Sequence, residues 1–315
     1  MGVKKESKGL ILFLSWKAAG NMTIGIVANI SKSKVYEVIS ILIKTLKENE
    51  FDYLLMDLIS ENKDLIKEKI NKSRFVESDK LCKKSDMIIS IGGDGTMLAT
   101  AYRAQFYNKP VLGINLGKLG FLAEVNINQI DTFIKEIKDG NYEVEERMII
   151  TGECIGHKIE KLYAINDIVI DKGGWPKMIQ LDIDIGDKYV TTFSADGLIV
   201  ATPTGSTGYS ISTGGPIVSP KTDVITLSPI SPHSLSMRPL VLPSNETISV
   251  RITSLHKEIL VNCDGQRVFT FLPPLEVRIS KSDRPFKLVR TSLTNYFETL
   301  RNKLLWGIDL RLNSF

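Results

Sequence analysis

The chain has 315 residues, enough for two domains of about 150 residues each. A hydrophobic fraction of 43% and a charged fraction of 24% exclude a largely disordered chain, a collagen-like chain and a disulfide scaffold. The 40 Lys and Arg exceed the 36 Asp and Glu by only 4, so the net charge indicates neither a nucleic-acid nor a membrane partner. No stretch approaches the ~20 apolar residues of a membrane span.

Three cysteines, Cys82, Cys154 and Cys263, lie far apart and form no Cys-x-x-Cys pair for a metal or a redox reaction. An odd and sparse set fits a reducing compartment, and we predict a cytoplasmic protein. Each cysteine is expected to be a small buried apolar residue, with a nucleophile as the alternative. The three histidines are equally scattered and form no His-x-x-x-His zinc pair.

We interpret residues 1–21 as a poorly ordered leader. Lysines precede the apolar run from Leu10 to Trp16, which superficially resembles a secretion signal. However, Lys17 follows the run at once, and no Ala-x-Ala cleavage site is present. Secretion is therefore only the alternative interpretation, and the role of the leader is open.

Strand and helix patterns alternate from residue 23 to residue 142. Short apolar runs predict strands over 23–28, 51–56, 87–91 and 110–114. Helices are predicted over 35–46, 61–70, 95–106 and 130–137, the last one stopped by Gly140. This alternation indicates an open parallel α/β domain over residues 22–142, with helices packed on the sheet.

The pattern changes near residue 143. From there to residue 291, short alternating runs and turn residues occur without a long helical pattern. This is typical of antiparallel sheets, so we predict a second, all-β, sandwich-like domain over residues 143–291.

A last amphipathic helix is predicted after Ser292. Its apolar face consists of Tyr296, Phe297, Leu300 and Leu304, and Gly307 suits its end. An isolated amphipathic helix has to bury that face, so we expect residues 292–315 to pack back on the α/β domain.

The strongest local motif is Gly92-Gly93-Asp94-Gly95, directly after a predicted strand and at the start of a helix. Glycines let a backbone approach phosphates, and a helix N-terminus offers free N–H groups and a positive dipole end. A carboxylate there would repel anions unless it handles a proton or orients a metal. The alternative is a tight turn in which Asp94 caps the helix.

A second glycine-rich loop, Asn115–Ala123, follows the next predicted strand. Loops at the carboxyl ends of parallel strands form the binding crevice of an open α/β sheet. In such a crevice Lys118 could contact a phosphate and Phe121 could stack on a base. The alternatives are an exposed lysine and a core phenylalanine.

The longest motif runs from Asp196 to Pro216. Seven Ser and Thr hydroxyls lie within residues 202–213, among several glycines. Such a segment suits ribose hydroxyls, phosphates and an adenine edge, and Tyr209 adds a flat surface. No Gly-x-Ser-x-Gly nucleophile elbow occurs there. The alternative is a polar surface loop.

Taken in order, these motifs resemble those of the NAD kinase family, from about residue 23 to residue 307. The resemblance rests on Gly92–Gly95, Asn115–Glu124, Asn166-Asp167, Asp196–Pro216, Pro232–Pro239, Asp264–Gln266 and the ending Lys-Leu-Leu-Trp-Gly. Asp167 stands where glutamate is commoner in the family. The Gly-Gly-Asp-Gly string alone also occurs in diacylglycerol-type lipid kinases and phosphofructokinases.

The resemblance implies transfer of the γ-phosphoryl group of ATP to the adenosine-ribose 2′-hydroxyl of NAD, giving NADP. Asp94 would be the proton acceptor, Gly95 would lie against phosphate, and Phe121 would flank the adenine. Asn166 and Asp167 would hydrogen-bond ribose. The rest of the dinucleotide site in the all-β domain would comprise Lys177, Asp196, Thr207, Gly208, Tyr209, Ser210, Ile211, Ser212 and Gln266.

The resemblance also implies Mg²⁺, or another divalent cation, with ATP, and a homodimer or homotetramer whose site can include a neighbouring subunit. Two other functions stay open on the sequence. One is a lipid kinase that shares the glycine turn, although no amphipathic basic helix is present. The other is an NAD or NADP sensor without turnover, which would gain little from a carboxylate beside phosphates.

Overall fold

The computed structural model describes residues 22–117, 120–159 and 161–305. The predicted leader, Lys118 and Gly307 lie outside these ranges. The helices are α1 (Lys34–Glu48), α2 (Ser78–Lys84), α3 (Asp94–Ala104), α4 (Ile130–Lys138), α5 (Tyr209–Ser212) and α6 (Tyr296–Leu304). The strands are β1 (Thr23–Ala28), β2 (Asp52–Met56), β3 (Phe75–Val76), β4 (Met87–Gly92), β5 (Val111–Asn115), β6 (Val125–Asn126), β7 (Glu143–Arg147), β8 (Ile150–Cys154), β9 (Leu162–Ala164), β10 (Asp167–Asp171), β11 (Ile179–Ile185), β12 (Lys188–Ala195), β13 (Gly197–Ala201), β14 (Val224–Ile230), β15 (Leu240–Pro243), β16 (Ile248–Thr253), β17 (Ile259–Cys263), β18 (Arg267–Phe271), β19 (Leu275–Lys281) and β20 (Phe286–Arg290).

The first sheet is mostly parallel and has the order β3-β2-β1-β4-β5-β20-β7, with β6 beside β5. Strands β1 to β6 pair in parallel, and β20 joins β5 in parallel. Its central strands are buried along their length, and Ile24, Ile26, Ile88 and Ile89 are fully buried. Parallel strands covered by helices require such continuous apolar runs, which is why β1, β2, β4 and β5 could be predicted.

Two antiparallel sheets of six strands each follow. Their orders are β15-β14-β13-β10-β17-β18 and β12-β11-β16-β19-β8-β9. Residues from both sheets, such as Ile168 and Val200 from one and Leu181 and Val250 from the other, share one apolar core. This is the packing of a β-sandwich, and it confirms the predicted α/β plus all-β fold class.

The border between the two domains differs from the predicted one. Strands β7 and β20 were assigned to the all-β domain, yet they pair with each other at the edge of the first sheet. The chain thus leaves the first sheet after β7 and returns to it through β20. An alternating pattern shows that a segment is a strand, but the choice of sheet depends on partners distant in sequence.

The predicted helix over 61–70 is wrong. Residues Asp57–Leu65 form 3₁₀ turns interrupted at Asn62, which has φ −127° and ψ 35°. The Asn62 side chain donates to the hydroxyl of Tyr36 at 3.1 Å, and Ile59 and Ile66 are buried. These tertiary contacts replace the regular helix that the charged sequence suggested.

The C-terminal helix α6 packs back toward the α/β domain, as predicted. Ser292, just before the helix, donates its backbone N–H to Glu136 of α4 at 3.0 Å. Leu300 is buried, but Phe297 is 61% exposed, so the predicted apolar face is only partly correct. The helix is followed by Leu305 in the left-handed conformation, two residues before the predicted stop.

Cys82, Cys154 and Cys263 are free and buried, as predicted. Burial raises the pKa of these thiols to about 11, about 11 and about 12, so they are inert at neutral pH. Within the described ranges, no helix combines the length and the apolar character that crossing a membrane requires.

Candidate active site

Asp94 is the first residue of α3 and lies at the carboxyl end of β4. Gly93 is the N-cap and no side chain caps the helix, so the interpretation of Asp94 as a helix cap is wrong. Instead, its carboxylate accepts three backbone N–H groups of the second glycine-rich loop. Phe121 donates to Oδ2 at 2.9 Å, and Leu122 and Ala123 donate to Oδ1 at 3.1 Å each. The two glycine-rich loops are thereby joined through one carboxylate.

Gly120 makes this junction possible. A Cβ atom built on Gly120 would lie only 1.9 Å from Oδ1 of Asp94. Any side chain there would push the loop or the carboxylate away. The glycine of the second loop therefore serves the approach to Asp94.

A buried ionic cluster holds the other end of this loop. Glu124, directly after Ala123, forms an ion pair with Arg290 of β20, and Arg290 also pairs with Glu145 of β7 at 3.0 Å. Arg147 completes the cluster, at 3.0 Å from Glu145. Burial raises the pKa of Glu124 even though the charge of Arg290 opposes the rise. The strands that the sequence placed in the wrong domain therefore anchor the loop that contacts Asp94.

Asp264 organises the Asn166-Asp167 pair in the all-β domain. Its Oδ1 accepts the backbone N–H groups of Ile165, Asn166 and Asp167 at 2.9, 2.7 and 3.3 Å. Its Oδ2 accepts a hydrogen bond from Arg267 at 2.8 Å. Burial raises the pKa of Asp264, and these donors oppose the rise by stabilising its negative charge. They also fix the backbone that carries Asn166 and Asp167.

Asp167 is only 4% exposed. Burial, followed by the neighbouring charge of Asp264, raises the pKa of Asp167 from the ordinary 3.8 to about 7. The two adjacent carboxyl groups therefore differ: Asp264 faces Arg267 and three N–H donors, whereas Asp167 faces the charge of Asp264. Near neutral pH, Asp167 can present either a proton or a lone pair to a ligand.

The hydroxyl-rich segment forms 3₁₀ turns over Thr204–Thr207 and then helix α5. Gly205 is packed against the backbone of Asn166, where a Cβ atom would lie 2.0 Å from the carbonyl oxygen. Six of the seven hydroxyls form hydrogen bonds inside the protein, namely those of Thr202, Thr204, Ser206, Thr207, Ser210 and Thr213. Most of the predicted ligand hydroxyls therefore shape the segment. Those of Ser206, Thr207 and Thr213 bond within local turns, whereas those of Thr202, Thr204 and Ser210 bond to residues distant in sequence. Ser212 is exposed.

The Asn166-Asp167 pair and Tyr209 share a cavity of about 460 Å³. Its lining consists of Asn166, Asp167, Val169, Asp171, Tyr209, Leu260, Asn262, Asp264, Gly265 and Val268. The Oδ1 atoms of Asn166 and Asn262 are buried without a hydrogen-bond partner among the described residues. Buried acceptors normally have partners, so this cavity is suited to a ligand that carries hydroxyl or amide donors.

One hydrogen bond connects this cavity with the helix of Asp94. The side-chain Nε2 of Gln266 donates to the carbonyl oxygen of Gly95 at 2.6 Å. Gln266 follows Gly265, which lines the cavity, and Gly95 follows Asp94. The structure therefore places the carboxylate and the polar cavity at the junction of the two domains.

Models of known protein families match both domains of the chain. The ATP-NAD kinase N-terminal domain matches residues 24–142, and the ATP-NAD kinase C-terminal domain matches residues 165–291. The chain belongs to the NAD kinase family. The predicted family and the predicted enzyme class, an NAD kinase, are thereby confirmed, and neither the sensor nor the lipid kinase is favoured.

Curated NAD kinases are similar over most of their length. The NAD kinase of Natranaerobius thermophilus is 37% identical over 290 residues, which cover 91% of this chain and 99% of that protein. The NAD kinase of Heliobacterium modesticaldum is 42% identical over 224 residues, or 70% of this chain and 79% of that protein. The similarity therefore spans both domains.

Solved structures of an NADH kinase and of an NAD kinase have a similar fold. Yeast NADH kinase, solved in complex with NADH, superimposes with a TM-score of 0.83 at 26% identity, covering 93% of this chain and 90% of that chain. An NAD kinase from Archaeoglobus fulgidus, solved in complex with ATP, superimposes with a TM-score of 0.69 at 26% identity. It covers 90% of this chain and 99% of that chain.

Of the residues that the family resemblance suggested for the dinucleotide site, only Asn166, Asp167 and Tyr209 line the cavity, and two of the others lie in different surroundings. Lys177 is exposed in the loop between β10 and β11 and forms no hydrogen bond or ion pair within the described ranges. Asp196 forms an ion pair with Lys172 at 2.5 Å. Conversely, the sequence assigned no role to Asp171, Asn262 or Arg267, because only the fold brings them to the site.

Proposed function

We propose that the chain transfers the γ-phosphoryl group of ATP to the adenosine-ribose 2′-hydroxyl of NAD, with Asp94 as the proton acceptor. The observation that carries this proposal is the set of three N–H donors on the Asp94 carboxylate. A carboxylate has about four acceptor positions, so one remains for a hydroxyl. The side chain is 30% exposed, which leaves it accessible to a substrate.

The proposed step is a displacement at the γ-phosphorus of ATP. A bond forms between the 2′-oxygen and the γ-phosphorus, and the bond from the γ-phosphorus to the bridging oxygen of the β-phosphate breaks. The hydroxyl proton passes to Asp94, and ADP leaves with the electron pair of the broken bond. Such a reaction depends on positioning and on charge stabilisation, and a positioned base contributes typically 10²–10⁴-fold.

NAD is proposed to occupy the cavity of the all-β domain. The unpaired Oδ1 atoms of Asn166 and Asn262 and the carboxyl of Asp167 would pair with ribose hydroxyls or the carboxamide. Tyr209 is 46% exposed and offers its ring to a base or a nicotinamide. The similarity to a yeast enzyme solved with NADH supports this assignment.

The remaining site residues are proposed to act at the edges of the bound nucleotides. Phe121 would flank adenine, and Gly95 would face phosphate while Gln266 holds the two domains together. The other contacts proposed for the dinucleotide are Lys177, Asp196, Thr207, Gly208, Ser210, Ile211 and Ser212. These residues do not line the cavity, so we propose that they contact the dinucleotide at its edges, whereas Asn166 and Asp167 contact it inside the cavity.

Mg²⁺ is proposed to enter as part of the ATP substrate. The described residues contain no group of three or more His, Cys, Asp or Glu that could hold a metal ion. Mg²⁺ usually needs only one or two carboxylates besides substrate phosphates, so the residues present fit an ion held mainly by ATP. When bound, it would neutralise charge on the β- and γ-phosphates.

A homodimer or homotetramer in the cytoplasm is also proposed. Val268 lines the cavity and lies on β18, an edge strand of its sheet. It is 56% exposed, so one side of the nucleotide cavity is apolar and uncovered. A second copy docked at this edge would complete the site.

A coupled assay tests the proposed function. Purified protein is mixed with NAD, ATP and Mg²⁺, and NADP is detected with an NADP-specific dehydrogenase. We expect NADP that depends on all three reactants. Binding of NAD in calorimetry without any NADP would support a sensor, and absence of both would direct the search to lipid acceptors.

A further inference from the structure

We propose that Lys303 on the C-terminal helix supplies a positive charge to the reaction site. It pairs with Asp94 in the free protein and contacts the transferred phosphoryl group when ATP is bound. This inference deepens the proposed function and rests on it. The C-terminal helix would thereby take part in catalysis.

The geometry brings Lys303 to the two loops that meet at Asp94. Its Nζ lies 3.7 Å from Oδ2 of Asp94 and 5.2 Å from the centroid of the Phe121 ring. Oδ2 is also the atom that accepts the N–H of Phe121. The ammonium group therefore sits beside the proposed base and beside the proposed adenine contact at once.

The helix that carries Lys303 is fixed in place. Asn295 caps its N-terminus by accepting the N–H groups of Phe297 and Glu298 at 3.1 and 3.2 Å. Thr299 and Leu300 are each only 2% exposed. Lys303 comes one turn after Thr299, so its backbone is held near Asp94.

The reaction needs such a charge. ATP has to approach a carboxylate at the N-terminus of α3, and the two repel each other. Throughout the described ranges, no other lysine or arginine nitrogen lies within 4.0 Å of the Asp94 carboxylate. A lysine ammonium is a compact charge with three donors on a flexible stem. Lys303 can therefore turn from Asp94 to a phosphate without any movement of the helix.

The competing explanation is purely structural. A basic residue in the last turn of a helix stabilises the helix dipole by about 0.3–1 kcal/mol. Arg301 shares that last turn and is exposed, and its side chain forms neither a hydrogen bond nor an ion pair with the described residues. A structural role predicts similar effects from removing either charge, whereas the proposed role predicts an effect from Lys303 alone.

The test compares Lys303→Met, Lys303→Arg and the matched control Arg301→Met. For each protein, kcat and KM are measured for ATP and for NAD, together with the melting temperature and the ATP affinity by calorimetry. We expect Lys303→Met to lower kcat/KM for ATP by about 10²-fold, the typical effect of removing one group that stabilises transition-state charge. We expect NAD affinity to change by less than about twofold. Lys303→Arg keeps the charge, so its kcat/KM for ATP should be about tenfold higher than that of Lys303→Met.

Several outcomes would overturn the inference. They are equal kinetics for Lys303→Met and Arg301→Met, a loss confined to NAD affinity, or a loss that Lys303→Arg does not recover. If Lys303→Met does not fold, Lys303→Gln takes its place. A wild-type protein that makes no NADP would instead overturn the proposed function. Calorimetry would then show whether Lys303 contacts ATP, with unchanged affinity in Lys303→Met excluding that contact.

Discussion

The guanidinium of Arg267 lies over the ring of Tyr102, with 3.6 Å between its carbon and the ring centroid. Tyr102 belongs to α3, the helix that begins at Asp94, whereas Arg267 belongs to β18 of the all-β domain. Arg267 also donates to the carbonyl of Tyr163 and to Asp264, both at 2.8 Å. Arg267 thus contacts both the helix that begins at the proposed base and Asp264, the carboxylate that organises the nucleotide cavity.

Arg267→Met should therefore weaken both stability and turnover. The change removes a cation–π contact and leaves Asp264, whose side chain is 1% exposed, without its cation. Loss of one partner of a buried ion pair typically costs about 3–5 kcal/mol. Urea denaturation should show a loss of this order, with a fall in kcat. The control is Arg278→Met on β19, whose side chain is 53% exposed and forms an ion pair with Glu276. Equal effects of the two changes would show that Arg267 does not join the domains.

Gly120→Ala should lower turnover sharply, because the new Cβ would lie 1.9 Å from Oδ1 of Asp94. The loop or the carboxylate has to move, and the three N–H bonds to Asp94 would lengthen. Steady-state kinetics should show a fall in kcat of about 10²-fold, comparable to the loss of a positioned base. Gly174→Ala is the control, since no atom lies within 4 Å of a Cβ there. Normal turnover in Gly120→Ala would show that the contact between the loop and Asp94 is dispensable.

Tyr209→Ala should raise the KM for NAD while the melting temperature stays close to that of the wild type. The ring is 46% exposed and lines the cavity, so its removal costs contact with the ligand and little packing. Tyr209→Phe keeps the ring and should retain most of the affinity. A lower melting temperature with unaltered kinetics would make Tyr209 a packing residue.

Asp167 should make the protein less stable as the pH rises. Its pKa of about 7 lies above the ordinary 3.8, so the folded protein binds more protons than the unfolded chain between these values. The stability is fully present below about pH 4 and is lost as the pH passes through about 7. The side chain at position 167 cannot ionise in Asp167→Asn. The free energy of unfolding of this variant should therefore increase relative to that of the wild type between pH 4 and 8. The difference should approach the order of 4 kcal/mol. A difference that does not vary with pH would contradict the burial of an ionisable Asp167.

Local patterns predicted the elements that depend on local periodicity. The apolar runs of β1 and β4 and the helical spacing in α1 and α4 are visible in short windows. The pairing of β7 with β20 was not predictable, because these strands are brought together from opposite ends of the all-β region. The 3₁₀ turns after β2 were missed because Asn62 and Tyr36 interact only in the folded chain.

The candidate site likewise contains residues that the sequence indicated and residues that only the fold brings together. Asp94 and Tyr209 stand in motifs whose residue types indicate nucleotide chemistry, whereas Asn166 and Asp167 were suggested by the family resemblance. The structure brings Asn166, Asp167 and Tyr209 to one cavity. Lys303 begins the ending Lys-Leu-Leu-Trp-Gly, and Arg267 directly follows the Asp264–Gln266 motif. The sequence indicated no role for either, since their partners lie in other elements. The number of hydroxyls in the Asp196–Pro216 motif that are available to a ligand was overestimated. A sequence does not show whether a serine hydroxyl faces a ligand or bonds within the protein.

The assignment of Asp94 as the proton acceptor is tested by the variant Asp94→Asn. The change removes the base, but it also turns an amide group toward the N–H of Phe121, which disturbs the loop. Glu124→Gln is therefore the control, because it weakens the anchor of the same loop through Arg290 and leaves the carboxylate of Asp94 in place.

The decisive measurement is kcat for NADP formation in these two variants beside NAD affinity by calorimetry. We predict that Asp94→Asn lowers kcat by about 10²-fold or more while NAD affinity is nearly unchanged, and that Glu124→Gln has a much smaller effect on kcat. Unchanged turnover in Asp94→Asn, or an equal loss in both variants, would contradict the assignment of Asp94 as the proton acceptor.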